Sequence, residues 1–488
     1  MKKTLGQTDF DAAGPAFSGA ELDALFFSAL GRVFSALGSG ASIPGPAKSR
    51  GPGPVLILPP DLTRIHSGAG LLTGTVCRRL SAGKSWSLGA IMPALGTHRP
   101  LGPEEIAAMF PQCPAGKFLP HKWREDTVEL GRLEADWVEA AFTGGAGPDG
   151  GAEADGAAGA FHSDWPVQVN KILRDGLPGG PGEKGFSLIV SIGQVVPHEI
   201  AGMANHTKNV FIGTGGAEAI NKSHYLGALY GLERIMGKAE TPVRALFDEG
   251  FRRYGSLLPP VLWVLTVVDS AGAVRGLFTG FGRDCFEKAA AFSQKLNITR
   301  LEKPAGKVVV WLDPAEYRSV WLGNKAVYRT RMAIAAGGEL VVIAPGLECF
   351  GEDRENDALI RRYGYRGGPA IRQAVEETAV SSTDDSGGAA GGLAGSLSAA
   401  AHLIHGSSEG RFTIRYCTSP AAKRAPSGLS REEIEAAGYE WTDADEAGAR
   451  YIPELKNGGK TPKTGWKTSA DGETFYFVAN PALGLWRA

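Results

Sequence analysis

Histidine, lysine, arginine and carboxylate side chains gather in three stretches of the sequence, each just behind an apolar run. The first, Pro59-Pro60-Asp61-Leu62-Thr63-Arg64-Ile65-His66-Ser67-Gly68, offers a carboxylate, a hydroxyl and a guanidinium ahead of a helix start. Backbone N–H groups at a helix N-terminus together with Arg64 suit a phosphate or a carboxylate. An Asp at position 61 serves equally as an ordinary N-cap. The second stretch, Gly96-Thr97-His98-Arg99, places an imidazole before the helix start Pro103-Glu104-Glu105. The third is the richest: Pro197-His198-Glu199-Ile200-Ala201-Gly202-Met203-Ala204-Asn205-His206-Thr207-Lys208, then Gly213-Thr214-Gly215-Gly216 and Asn221-Lys222-Ser223-His224. These groups support proton transfer, capture of an anion, or metal ligation.

Several familiar chemistries lack their residues. His198-Glu199 has no second His at i+4, so the helical zinc-protease pattern is missing. No G-x-S-x-G elbow is present for a serine hydrolase. The run GTGG at 213–216 is a weak phosphate-loop signal in a chain with 68 glycines. Charge is balanced, with 51 Lys+Arg against 52 Asp+Glu, so no global field recruits nucleic acid or an anionic membrane. The five cysteines (Cys77, Cys113, Cys285, Cys349, Cys417) never form a Cys-x-x-Cys pair and suggest neither a disulfide framework nor a thiolate zinc site. That favours a reducing, cytoplasmic compartment. The N-terminal lysines are followed by Gln7, Asp9 and Asp11 rather than an apolar core, so no export signal is read. The most apolar run, Val261 to Val268, is far shorter than the ~20 residues that span a bilayer.

The elements that must hold these stretches alternate. Short apolar runs at 55–60, 186–193, 261–269, 307–313 and 339–346 read as buried parallel strands. Helical patterns at 68–82, 103–109, 217–236, 283–296 and 324–336 follow them, so the class is α/β, two domains with mostly parallel sheets. In such sheets chemistry collects at strand carboxyl ends, where the three stretches fall. The expected division is an N-terminal catalytic and cofactor domain over 1–293, a second α/β domain over 294–430 and a C-terminal extension over 431–488, with the active site in a cleft between the domains. Two segments rich in Gly, Ala, Ser and Asp, 143–160 and 381–400, are expected to be loop-like surface insertions that bury no core.

Taken together, D-x-T-R (Asp61, Thr63, Arg64), G-T-H-R (Gly96 to Arg99), P-H-x-x-A-G-(x)5-K (Pro197 to Lys208) and the later His224 resemble the nickel-dependent lactate racemase family. The order and spacing hold over most of residues 55–350. Val169-Asn170 and the Asn324-Lys325 helix add to the likeness. The resemblance implies a nickel-pincer nucleotide, a pyridinium mononucleotide that grips Ni(II) through a ring carbon and two sulfurs. Carried over by motif, Lys208 would form a thioamide with the cofactor, and His224 would complete the nickel coordination. His98 and His198 would be the acid/base pair. Asp61 with Arg64 would orient a histidine and hold substrate carboxylate or cofactor phosphate, with Thr63 on the cofactor side, and Lys325 would add a cation.

The implied reaction is chemically reasonable. The C2–H of an ionised 2-hydroxy acid is a very poor acid, because the neighbouring carboxylate resists a second negative charge. Hydride abstraction avoids that carbanion: one histidine takes the hydroxyl proton as hydride leaves, and return of hydride to the opposite face inverts C2. Soft donors supplied by the cofactor suit square-planar nickel without any cysteine motif.

The sequence departs from the family in two places. Met203-Ala204-Asn205-His206 replaces a run of small residues, and Leu322 stands where a Gln commonly precedes the lysine of the 324–325 helix. Trp321 to Arg331 and the 344–353 stretch are similar to members associated with sugar acids. The implied substrate is therefore an aldonate or uronate such as mannonate, with lactate as the simpler case, and Asn205 and His206 are expected to meet its extra hydroxyls. Cofactor-biosynthesis proteins are the implied partners; no nucleic acid or membrane is. The competing readings are a zinc hydrolase or aldolase built on His98, His198 and His224, a carrier of the pincer nucleotide, and an α/β sugar-phosphate binder.

Overall fold

The computed structural model describes residues 8–11, 16–144, 161–179, 185–381, 392–419, 428–457 and 459–488. The chain is mixed α/β and divides into two compact units. One comprises Met1–Leu226 with Ile235–Asn297, the other Gly227–Arg234 with Ile298–Ala488. The division thus follows the end of the helix Asp284–Asn297 instead of cutting it at 293.

The first unit is built on a six-stranded sheet in the order Thr8–Asp11, Val274–Gly280, Val261–Val268, Leu188–Gln194, Pro54–Leu58, Ser87–Ile91. The last four strands are mutually parallel, while the first two run antiparallel at one edge. The central strands Leu188–Gln194 and Val261–Val268 are buried along their whole length, which is why they read as predominantly apolar runs without polar alternation. Helix Gly19–Gly38, started by a Ser18/Glu21 capping box, lays Leu22, Phe26, Leu30, Val33 and Leu37 on the core shared with helix Ala69–Ser81.

The second unit has its own six-stranded sheet, ordered Glu440–Asp443, Thr413–Thr418, Ile334–Ile343, Ala305–Trp311, Thr474–Val478, Gly465–Thr468. All neighbours are parallel except the last pair. Residues 431–488, expected as an appended piece, therefore supply three of the six strands. Phe475, Phe477, Ala447, Tyr451 and Ile452 belong to the same apolar cluster as Val309, Val341 and Ile343, so this unit has no closed core without them.

Three further expectations change. The helix expected over 324–336 stops at Thr330, and the strand begins at Ile334 because the apolar run there belongs to the sheet. The helix over 217–236 breaks at Gly231, whose φ of +104° no α-helix accommodates. Within the insertion expected at 381–400, residues 382–391 lie outside the described residues, but 392–400 are ordered structure. Leu393 is fully buried, and helix Leu397–Gly406 follows, buried along nearly all its length. A few apolar residues among the Gly, Ala and Ser are enough to anchor that end. Of the insertion at 143–160, residues 145–160 lie outside the described residues. Among the described residues, no helix is long and apolar enough to cross a membrane.

Candidate active site

Strand Pro54–Leu58 delivers Asp61 to the N-cap of a short 3-10 helix, Leu62–Ser67. One carboxylate oxygen, Oδ1, accepts from the Thr63 N–H at 3.1 Å and from the Thr63 hydroxyl at 2.6 Å. The other, Oδ2, accepts from His98 Nδ1. Both readings of Asp61 therefore hold: it caps the helix and orients an imidazole. Burial acts against its charge, but His98, Thr63 and Arg64 outweigh burial and hold the carboxyl well below the usual carboxylate range. A carboxylate can only accept, so Nδ1 of His98 carries a proton and Nε2 is the atom left to exchange one. The Thr63 hydroxyl donates to Asp61 and so supports the carboxylate that orients His98.

The His98 loop is fixed from beneath by the GTGG turn. Gly96, at φ +58°, donates its N–H to the Gly213 carbonyl at 2.9 Å. Asn170 N–H donates to Thr214 O at 2.6 Å, and His121 Nε2 to Gly215 O at 3.0 Å. The N–H groups of Gly213, Thr214 and Gly215 in turn donate to the Lys208, Val210 and Ile212 carbonyls, so the run is a structural turn.

The P-H-x-x-A-G stretch forms a miniature hairpin in which Pro197–His198 pairs with Gly202–Met203. Gly202 is required there: its φ is +78°, and a Cβ would come within 2.1 Å of the Lys238 carbonyl oxygen. Inside the turn the Ile200 N–H donates to His198 Nδ1 at 3.1 Å. The neutral imidazole of His198 therefore carries its hydrogen on Nε2, the reverse of the His98 arrangement. Glu199 Oε2 lies 4.0 Å from His198 Nδ1.

Asn205 and His206 follow, both with positive φ (69° and 58°), two adjacent residues in a backbone region that non-glycine residues rarely occupy. The buried Arg244 holds this turn, donating to Asn205 O at 3.1 Å, to Thr207 Oγ1 at 3.1 Å and to Met203 O. Burial pushes its guanidinium down to about 10. The strained turn launches the helix Thr207–Phe211, whose second residue is Lys208. Burial and then Arg64 push the Lys208 ammonium down to about 8, with Glu199 and Asp61 opposing. An amine in that range is a competent nucleophile near neutral pH.

His224 lies on helix Ala217–Tyr230, where its Nδ1 donates to the Ile220 carbonyl at 2.7 Å. That bond fixes the tautomer and leaves the Nε2 lone pair for a ligand, the usual arrangement of a metal-binding imidazole. Burial, then Lys208, lowers its pKa to about 4, so it is neutral at physiological pH. Glu199 and His98 also act on it. Asp61, Arg64, His98, Glu199, Lys208 and His224 are thus one electrostatic neighbourhood within the first unit. Among the described residues, no group of three or more His, Cys, Asp or Glu is arranged to hold a metal by itself. His98, His198 and His224 accordingly do not form the ligand set that the zinc reading requires.

Two expectations move. His206 does not face the polar neighbourhood: it is buried against Trp263, with ring centroids 4.3 Å apart, and stacked on Phe286 at 5.2 Å. Asn205 is buried as well, its Oδ1 accepting from the His206 N–H at 2.7 Å and its Nδ2 packed so close to Gly193 that a Cβ there would meet it at 2.0 Å. Both serve the turn rather than a substrate. Lys325 opens the helix Lys325–Thr330 in the second unit. Arg244 and Glu199 went unremarked as site residues in the sequence. Arg244 sits in an amphipathic helix whose other arginines are surface residues, and only the packing separates it from them.

No family model matches the sequence, and no curated protein matches it. Solved structures do match in fold. A crystal structure of a Thermotoga maritima protein superposes with a TM-score of 0.70 at 18% identity, covering 98% of this chain and 99% of that one. The lactate racemase apoprotein from Thermoanaerobacterium thermosaccharolyticum superposes with a TM-score of 0.58 at 15% identity, covering 91% and 90%. The chain thus has the α/β fold of that racemase over nearly its whole length.

Proposed function

We propose that this protein is a racemase or epimerase inverting C2 of a 2-hydroxy acid, with a nickel-pincer nucleotide attached at Lys208. The observation that carries this reading is the combination of a depressed lysine and a neutral imidazole with a free Nε2 in the same neighbourhood as the Asp61–His98 pair. The residues fit the group: Lys208 supplies the nucleophilic amine for a covalent attachment and His224 Nε2 the remaining donor to a metal whose other donors come from the nucleotide. When bound, the nucleotide supplies a hydride acceptor for C2.

The chain's own residues do the rest. Arg64 offers a guanidinium to a substrate carboxylate or a phosphate. His98, held by Asp61, accepts the hydroxyl proton at Nε2. His198, with Nδ1 accepting from Ile200, presents an Nε2–H donor. A sugar acid such as an aldonate or uronate is the proposed substrate class, supported by the Trp321–Arg331 and 344–353 stretches, with Lys325 as a further cation. The proposed setting is the cytoplasm, with cofactor-building proteins as partners.

The test is to load the protein with the cofactor and offer C2-epimeric hydroxy acids in deuterated water, measuring inversion, nickel content and the mass of the Lys208 peptide. Inversion of one pair together with a mass increment on Lys208 is the expected result. Neither inversion nor an increment on a protein that binds nickel would overturn the reading.

A further inference from the structure

Cys77 and Cys113 are 36 positions apart in sequence, yet their sulfurs lie 3.7 Å apart. The contact follows from how the backbone is built. Helix Ala69–Ser81 presents Gly70, Gly74 and Cys77 on one face, by the i, i+4, i+7 spacing. The segment after helix Pro103–Met109 lies directly on that face. A Cβ on Gly70 would come within 1.9 Å of the Met109 carbonyl oxygen, and one on Gly74 within 2.8 Å of Gln112 Oε1. Arg78 adds a hydrogen bond to Gln112 from the next position, and Cys113 N–H closes a turn onto Phe110 O at 3.0 Å. The two thiols are therefore held together by close packing of the helix on this segment, against the Met109 main chain at Gly70 and the Gln112 side chain at Gly74 and Arg78.

We propose that Cys77 and Cys113 form a reversible oxidation site, closing to an intramolecular disulfide under peroxide. The chemistry balances with hydrogen peroxide as the oxidant. One thiolate attacks the peroxide, becoming a sulfenic acid and releasing hydroxide. The second thiol then displaces the sulfenic oxygen as water, forming the S–S bond, so two thiols and one peroxide give one disulfide and two waters. Reaching a bond of about 2.05 Å requires the sulfurs to approach by less than the width of one atom. Cys77 is buried and Cys113 half-buried, so a small oxidant enters on the Cys113 side. Contact with Cys113 lowers the Cys77 thiol against the opposing effect of burial, with Arg78 a smaller contribution. The bond would join the helix behind the Asp61 loop to the chain that follows the His98 loop, tying together the segments that carry the Asp61–His98 pair.

The remaining cysteines make a clean control. Cys285 and Cys417 are buried, with thiols raised by burial, and Cys349 is half-buried elsewhere. The full-length reduced protein is treated with dilute peroxide, and free thiols, intact mass and the disulfide-linked peptide are read before and after dithiothreitol. The expected result is loss of two of the five thiols and two hydrogens, a peptide joining Cys77 to Cys113, and full reversal by dithiothreitol. Cys113→Ser, at a half-buried position, should abolish the link and leave a sulfenic acid at Cys77; Cys349→Ser should change nothing. Retention of all five thiols, a link through Cys349 or between two molecules, or direct passage of Cys77 to the sulfinic acid in the wild type would overturn the proposal.

Discussion

The Arg244 guanidinium donates to the Asn205 carbonyl oxygen at 3.1 Å, bracing a turn whose two positive-φ residues stand just ahead of Lys208. A buried cation thus holds the strained main chain from which the nucleophilic lysine is launched. Arg244→Ala would leave the Met203 and Asn205 carbonyls without this donor in a buried site, and each such loss costs about 1–3 kcal/mol. The expected outcome is a destabilisation of roughly 3–5 kcal/mol in urea unfolding. A change below about 1 kcal/mol would show that the turn supports itself.

The Asp61–His98 bond predicts a pH dependence with a definite sign. The folded-state pKa of Asp61 is depressed, so its contribution to stability is present above the unfolded carboxylate value, near pH ~4, and is lost as pH falls through the lower folded value. Asp61→Asn should remove that part of the acid limb, while cofactor-loaded enzyme should lose ~10²–10⁴ in turnover because His98 is no longer held in its tautomer. Unfolding curves below pH ~4 that coincide for the two proteins would contradict the pairing.

Lys208 gives a slope of the same sign in a higher pH window. Its folded pKa is about 8, below the ordinary lysine value, so between pH 8 and ~10.4 the unfolded chain binds more protons and stability gains from Lys208 as pH rises. Lys208→Met should erase that gain. In the wild type without cofactor, acylation of Lys208 by an amine-selective reagent should rise through a midpoint near pH 8; a midpoint above pH ~10 would mean the ammonium is not disfavoured.

The two histidines should differ in tautomer. Nitrogen NMR at neutral pH should place the His198 hydrogen on Nε2 and that of His224 on Nδ1. On the loaded enzyme His224→Ala should lose nickel, whereas His98→Ala and His198→Ala should keep it and lose turnover by ~10²–10⁴. Unchanged nickel in His224→Ala would remove that imidazole from the coordination set.

Much of this neighbourhood was legible because its parts follow buried strands, and long apolar runs such as Val261–Val268 are hard to read otherwise. Asp61, His98, His198, Lys208 and His224 could be named because each sits in a motif with fixed spacing. The rest depends on contacts that one-dimensional spacing does not encode. Nothing local separates Arg244 from its exposed neighbours, and His206, polar in sequence, packs on Trp263 and Phe286. The same limit hid the nearness of Cys77 to Cys113 and the place of 431–488 in a sheet, since parallel pairing joins strands that are remote in sequence.

The strand Thr474–Val478 sits between Ala305–Trp311 and Gly465–Thr468, with Val309 paired to Phe477. During synthesis Val309 must wait, with one edge of its strand unpaired and its apolar side chain uncovered, until the ribosome has added the intervening chain. At ~5–20 residues per second that is a delay on the order of ten seconds or more. The second unit therefore needs shelter while it is being made, and an apolar strand edge left open that long is a place where a holdase chaperone would bind.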